Sequence, residues 1–135
     1  MSILITACSS SNEENKAVIE SPLYEHVWEL YQLEKANLEG LDHKRIPYLA
    51  FQGGRFNFGG FAGCNTVTGK FEISDKSFTF GELTITKMNC DDMNVEITFL
   101  NALNKVNSYK VADKVLTFYH DDLAIMIFKP QTQKE

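Results

Sequence analysis

The sequence predicts an α+β domain, a strongly curved antiparallel sheet of seven to eight short strands with one packed α-helix. Three observations carry that prediction. Apolar residues alternate with polar ones at period two over most of the chain beyond Pro22, and the runs are separated by tight-turn residues. Three glycines, Gly59, Gly60 and Gly63, crowd a segment whose neighbours Phe56, Phe58 and Phe61 are suited to a sheet. Glycine inside a strand marks a bulge, a bend or a close backbone approach. After Asp91, one stretch changes to helical spacing.

The elements follow in order. His26-Val27-Trp28-Glu29-Leu30-Tyr31-Gln32-Leu33 predicts a strand with Trp28, Leu30 and Gln32 on one face, and Val27, Tyr31 and Leu33 on the other. Tyr48-Leu49-Ala50-Phe51 and Arg55-Phe56-Asn57-Phe58 flank Gln52-Gly53-Gly54 and read as a hairpin with a glycine turn. Lys70 to Ile73 and Ser77 to Phe80 repeat the logic around Ser74-Asp75-Lys76, and Leu83 to Thr86 continues it. Asp91 and Asp92 suit the free amides of a helix start, and Glu96 sits early, at the positive end of the dipole. Met93, Ile97 and Leu100 follow i, i+4, i+7 spacing, and Phe99, Leu103 and Val106 widen the stripe. Tyr109 to Val111, Val115 to Tyr119 and Leu123 to Phe128 complete the sheet, and Pro130 ends it. Short strands joined this way argue for an antiparallel sheet that curls.

A chain of 135 residues holds one domain and a tail. With 44% hydrophobic residues and ten Phe it can bury a substantial core. The net charge of −5, with 13 scattered basic residues, argues against nucleic-acid binding, which needs clustered Lys and Arg. His43-Lys44-Arg45 reads as a solvated loop. No run of 18 apolar residues is present.

Ile5-Thr6-Ala7-Cys8 has the aliphatic-x-small-Cys order of a bacterial lipoprotein cleavage site, which makes Cys8 the expected lipid anchor. Met1-Ser2-Ile3-Leu4 is too short for a secretory signal and lacks its positive region, so the natural start is expected upstream or the signal has been shortened. The alternative is a chance tetrapeptide in an intracellular protein. Ser9 to Lys16 is small and polar, as a flexible tether would be, and residues 1–22 carry a net −2, with Glu13, Glu14 and Glu20 against Lys16. That divides the chain into 1–22 (truncated signal, lipobox and tether), 23–130 (the domain) and 131–135 (a tail). An acidic stretch after the lipidated cysteine resembles surface-export signals of some Gram-negative bacteria.

The most informative segment is Gly63-Cys64-Asn65, followed by Thr86-Lys87-Met88-Asn89-Cys90 and the acidic helix start. Together with Trp28-x-Leu30, Arg55-Phe56, Gly69-x-Phe71, Glu96 with Phe99-Leu100, Leu103 and Tyr109, all in the same order, this set resembles the META (HslJ-like) domain of bacterial envelope proteins. The resemblance spans roughly Trp28 to Lys129, and one departure is Asn89 before Cys90 where the family often has Ala. It implies a half-open, curved antiparallel barrel with one helix packed against it. It also implies the address of an outer-membrane lipoprotein, on the periplasmic or surface face. Some family members are linked to heat-shock induction and novobiocin resistance. It implies no reaction and no cofactor.

In an oxidising compartment the even pair Cys64 and Cys90 reads as a disulfide, with Cys8 reserved for lipid. Two buried free thiols are the alternative, because spacing alone does not bring the Cα atoms together. Enzyme readings lack support in the residues. His26, His43 and His120 are the imidazoles available to a Cys–His nucleophile, and each sits in a strand-edge or turn context. His120-Asp121-Asp122 reads as a solvated turn rather than a metal site, and no phosphate loop, zinc spacing or serine elbow occurs. Two functions are expected. One is a non-catalytic envelope interaction or structural module, held at the membrane by lipid and contacting an envelope protein through sheet edges or loops. The alternative is a lipocalin-like carrier enclosing a small apolar ligand among its phenylalanines.

Overall fold

The computed structural model describes residues 21–132. Cys8, the lipobox and the polar tether lie outside the described residues. Eight strands form one antiparallel ring: β1 (Trp28–Leu33), β2 (Tyr48–Gln52), β3 (Asn57–Phe61), β4 (Thr66–Ser74), β5 (Ser77–Ile85), β6 (Ser108–Ala112), β7 (Val115–His120) and β8 (Leu123–Pro130). A single α-helix, α1 (Asn94–Leu103), links β5 to β6. The predicted α+β class, with a strongly curved antiparallel sheet, is the class observed.

Each strand pairs with the next, and β8 returns to β1, where Trp28 faces Pro130 and Leu30 faces Phe128. The half-open shape implied by the resemblance therefore becomes a closed ring. Two of its seams are thin. β1 meets β2 only at Trp28 with Leu49 and Glu29 with Tyr48, and β5 meets β6 at Ser77 with Ser108.

Several elements depart from the sequence expectation for identifiable reasons. Leu33 is buried on the same side as Trp28 and Leu30, because the register against β8 slips between Leu30 and Gln32. An extra residue in one strand turns the following side chain to the other face. Residues 77–80 and 83–86, read as two strands, form the single β5 as far as Ile85, and the irregularity lies between them, where Gly81 and Glu82 of β5 stand opposite the one residue Lys70 of β4. In the β2–β3 turn the left-handed residue is Phe56 (φ 55°), so β3 begins at Asn57 and extends through the glycines to Phe61. A bulky residue rarely takes this conformation. Packing holds it there, with its ring edge-on to Phe71 at 5.9 Å and its carbonyl accepting from Phe71 N–H at 2.9 Å.

The barrel is filled by its own side chains. Phe71 and Phe78 stack at 5.0 Å, and Phe78 lies 5.0 Å from Phe118 and 4.9 Å from Phe80. Phe118 in turn meets Phe128 at 5.8 Å, and Phe128 meets Phe99 of α1 at 6.3 Å. Offset and edge-to-face ring pairs add about 0.5–1.5 kcal/mol each beyond the area they bury. A short 3-10 turn at Pro22–Glu25 packs on the barrel, its buried Leu23 accepting through the carbonyl from the Trp28 indole N–H at 2.9 Å.

The helix presents a different face from the one its spacing suggested. Glu96, Phe99, Ala102 and Leu103 are buried, whereas Ile97, expected in the stripe, is 54% exposed. Met93 occupies the cap position, and Asp92 Oδ1 accepts from Asn94 N–H at 3.0 Å. The residues that seemed only to widen the stripe are its centre.

Candidate functional site

Gly63, Cys64, Asn65, Thr86, Met88 and Cys90, separate in the sequence, meet in one cluster against the start of α1. The β3–β4 connection must turn sharply from Phe61 to Thr66, and Gly63 makes the turn with φ 121°, a conformation that L side chains rarely adopt. Ala62 N–H bonds to the Asn65 carbonyl at 2.8 Å and closes the loop. Arg45 braces it from outside, donating from Nε to the Gly63 carbonyl at 2.7 Å and from a terminal nitrogen to the Asp92 carbonyl at 3.0 Å.

At the centre is the carboxylate of Glu96, whose residue is only 4% exposed. Its Oε1 accepts from the backbone N–H groups of Cys64 (2.9 Å) and Asn65 (2.7 Å), and its Oε2 accepts from Asn65 Nδ2 (2.7 Å). A buried carboxylate is costly unless its lone pairs are used, and here three donors and the positive end of α1 surround it. Asn65 carries the network onward. Its Oδ1 accepts from Met88 N–H (2.6 Å) and from the Thr86 hydroxyl (2.9 Å), while Nδ2 also donates to the Met88 carbonyl (3.2 Å). Thr86 Oγ1 accepts from Thr66 N–H at 3.1 Å. One asparagine therefore ties three pieces of chain together: the glycine turn, the segment after β5, and the helix.

A disulfide joins Cys64 to Cys90, with Cα atoms 6.1 Å apart. Closing a loop between residues 26 positions apart contributes about 3.5 kcal/mol in the chain-entropy model. Chemically the cluster is saturated. Its sulfurs are bonded to each other, its carboxylate is filled with donors, and its amide uses both ends. It is a clamp.

The other candidates lie elsewhere. The His26 ring packs edge-on to Trp28 at 5.2 Å, and His43 belongs to the short turn His43–Arg45. His120 contacts the Lys105 carbonyl through Nδ1 at 2.7 Å, and Asp121 exchanges two hydrogen bonds with Asn107 in a turn where Asp121 and Asp122 both have positive φ. Among the described residues no three His, Cys, Asp or Glu side chains gather in a way that could hold a metal ion.

Sequence reasoning placed Glu96 at the helix start and in the motif set but not at the centre of this cluster, and it missed Arg45. Glu96 left a signal, since it shares a helical face with Phe99 and Leu103, where an isolated charge demands a partner. Arg45 left none, because its role depends on a contact 18 residues away.

A small closed antiparallel barrel, filled with rings and locked by a Gly-Cys-Asn turn against a helix-borne glutamate, defines the class. The chain belongs to the META domain family, whose model matches residues 21–133. Solved structures share the fold. A protein from Burkholderia xenovorans, determined by NMR, superposes with a TM-score of 0.66 at 23% identity, over 82% of this chain and 85% of that one. The crystal structure of a DUF4847 family protein from Bacteroides vulgatus gives 0.61 at 16% identity, over 86% of this chain and 99% of that one. No curated protein sequence matches.

Proposed function

We propose that this chain is a non-catalytic interaction or structural module of the bacterial cell envelope, anchored to the outer membrane through lipid on Cys8 and acting through its outer surface. The observation that carries this reading is the occupied interior: rings from Phe71 through Phe78 and Phe118 to Phe128 take the space that a carrier would keep for its ligand. The clamp supports it from the other side, since its most reactive groups are consumed in holding the turn and helix together. The lipobox order Ile5-Thr6-Ala7-Cys8 and the polar stretch behind it support the anchor. Induction under envelope stress fits a module of this kind.

The test is metabolic labelling with a clickable fatty acid in the bacterium that makes the protein. The native chain takes up label and the Cys8→Ser variant does not; an unlabelled native chain overturns the anchor. Native mass spectrometry of the delipidated protein separates the module from the carrier. A bare polypeptide mass is expected, and a reproducible apolar adduct would restore the carrier reading.

A further inference from the structure

On the outside of the barrel, across β2, β3 and β4, lies an open groove of about 740 Å³. Leu49, Phe51, Phe58 and Val67 point inward and are buried, so the alternating residues Ala50, Gly59 and Thr68 point outward. These three stand side by side in register and form a flat floor of small side chains. One end is walled by Tyr48, whose ring stacks on Phe61 at 5.8 Å. The other end is the cross-strand row of Gln52, Asn57 and Lys70.

Packing accounts for some of the smallness of this surface but not for all of it. A Cβ on inward-facing Gly60 would run into the Tyr48 carbonyl oxygen, so glycine is required there. Gly59 is different. A Cβ there would meet Thr68 Cγ2 at 3.6 Å, ordinary contact, and its φ is not positive. Glycine in a strand interior costs about 0.5–1 kcal/mol relative to alanine. The barrel has no structural need for that cost, whereas an open groove does.

A second, independent observation concerns Asn57. Its Oδ1 is buried and has no hydrogen-bond partner. An acceptor left this way costs about 1–3 kcal/mol. Asn57 lines the groove, between the exposed side chains of its cross-strand neighbours Gln52 and Lys70.

We infer that this groove binds a neutral saccharide, one sugar ring lying on the Ala50–Gly59–Thr68 floor against the Tyr48 ring. The ladders from β2 to β4 are paired throughout, so an extended peptide finds no free backbone edge here, and recognition must come from side chains. Those side chains are amides and hydroxyls, the groups that pair with sugar hydroxyls, and Lys70 is the sole charge on the lining. A hydroxyl reaching Asn57 Oδ1 supplies the missing donor. The volume lies within the usual range of ligand sites, about 300–1,000 Å³.

The test is amide chemical-shift titration of the isotope-labelled full chain with chitotriose and, separately, with maltotriose. Saturable shifts in the millimolar range, confined to residues 48–52, 57–60 and 66–70, are expected with at least one of them. A response to chitotriose alone assigns an N-acetylhexosamine, and one to maltotriose alone assigns a plain hexose. Gly59→Leu fills the floor without backbone strain. It should leave the rest of the spectrum in place and weaken binding by about tenfold or more. Silence with both sugars, shifts scattered over the surface, or undiminished binding by Gly59→Leu overturns the inference. A module that binds protein partners and no sugar fails this test while the reading of an anchored module stands.

Discussion

Glu96 is one charged side chain on an otherwise apolar helical face, and it decides how the glycine turn sits. Three N–H groups converge on it, two from backbone and one from Asn65. Replacing it with alanine strands those donors in a place that water reaches poorly. Hydrogen bonds to a charged group contribute about 1.5–3 kcal/mol, and breaking a buried charged network costs more than a single bond. Glu96→Ala should therefore lower unfolding free energy in denaturant by about 3 kcal/mol or more. Glu96→Gln keeps one acceptor but sets an amide donor against Asn65 Nδ2, and should lose about 1–2 kcal/mol. Ile97→Ala, one residue along on the exposed face, should change stability by about 0.5 kcal/mol or less. Equal losses in the three variants would show that the carboxylate has no special part.

Elements show where sequence periodicity suffices and where it does not. Strands with one wet face, β2, β4 and β7, alternate in burial as their residues alternate in polarity. β1 begins that way and then breaks step at its bulge, which depends on register against β8, roughly a hundred residues later, and leaves no local mark. The helix was legible in place but not in rotation. Met93, Ile97 and Leu100 make as good a stripe as Glu96, Phe99 and Leu103 unless the glutamate is recognised as buried. The Gly-Cys-Asn and Thr-x-Met-x-Cys segments were legible as a set through their order. Their joining by Asn65 was not, because a side-chain network across three elements has no sequence period.

The first turn, Pro22–Glu25, and β6 form another contact with a measurable consequence. Tyr24 lies 6.4 Å from Phe71, and burial, then the nearby Tyr109, pushes its phenol above the ordinary value of 10.0. Burial raises Tyr109 as well; a hydrogen bond from Ser21 works against this and the charge of Asp75 adds to it. Raised values mean that the folded state holds the neutral phenols more tightly than the unfolded chain does. That stability is complete below pH 10.0 and is lost as pH rises through the raised values. Denaturant midpoints should therefore fall as pH rises above about 10, and fall less in the Tyr24→Phe/Tyr109→Phe double variant. An equal fall in both proteins would remove these two tyrosines from the alkaline transition.

At the scale of the whole molecule, the ring of strands is closed more weakly at β1–β2 and β5–β6 than elsewhere, and the clamp bridges the long excursion from β5 through α1. The proposed function falls to surfaces: the outer groove of β2–β4 and the anchor proposed at Cys8. The account rests on the turn at Gly63–Asn65 being locked to α1 as part of the folded core. Native-state hydrogen exchange of the Cys64 and Asn65 amides measures this directly. Both should exchange only through global unfolding, with the same opening free energy as buried strand amides such as Phe78 and Phe118. Exchange at loop rates, with the strands still protected, would mean that the turn opens freely and that Glu96 holds nothing in place.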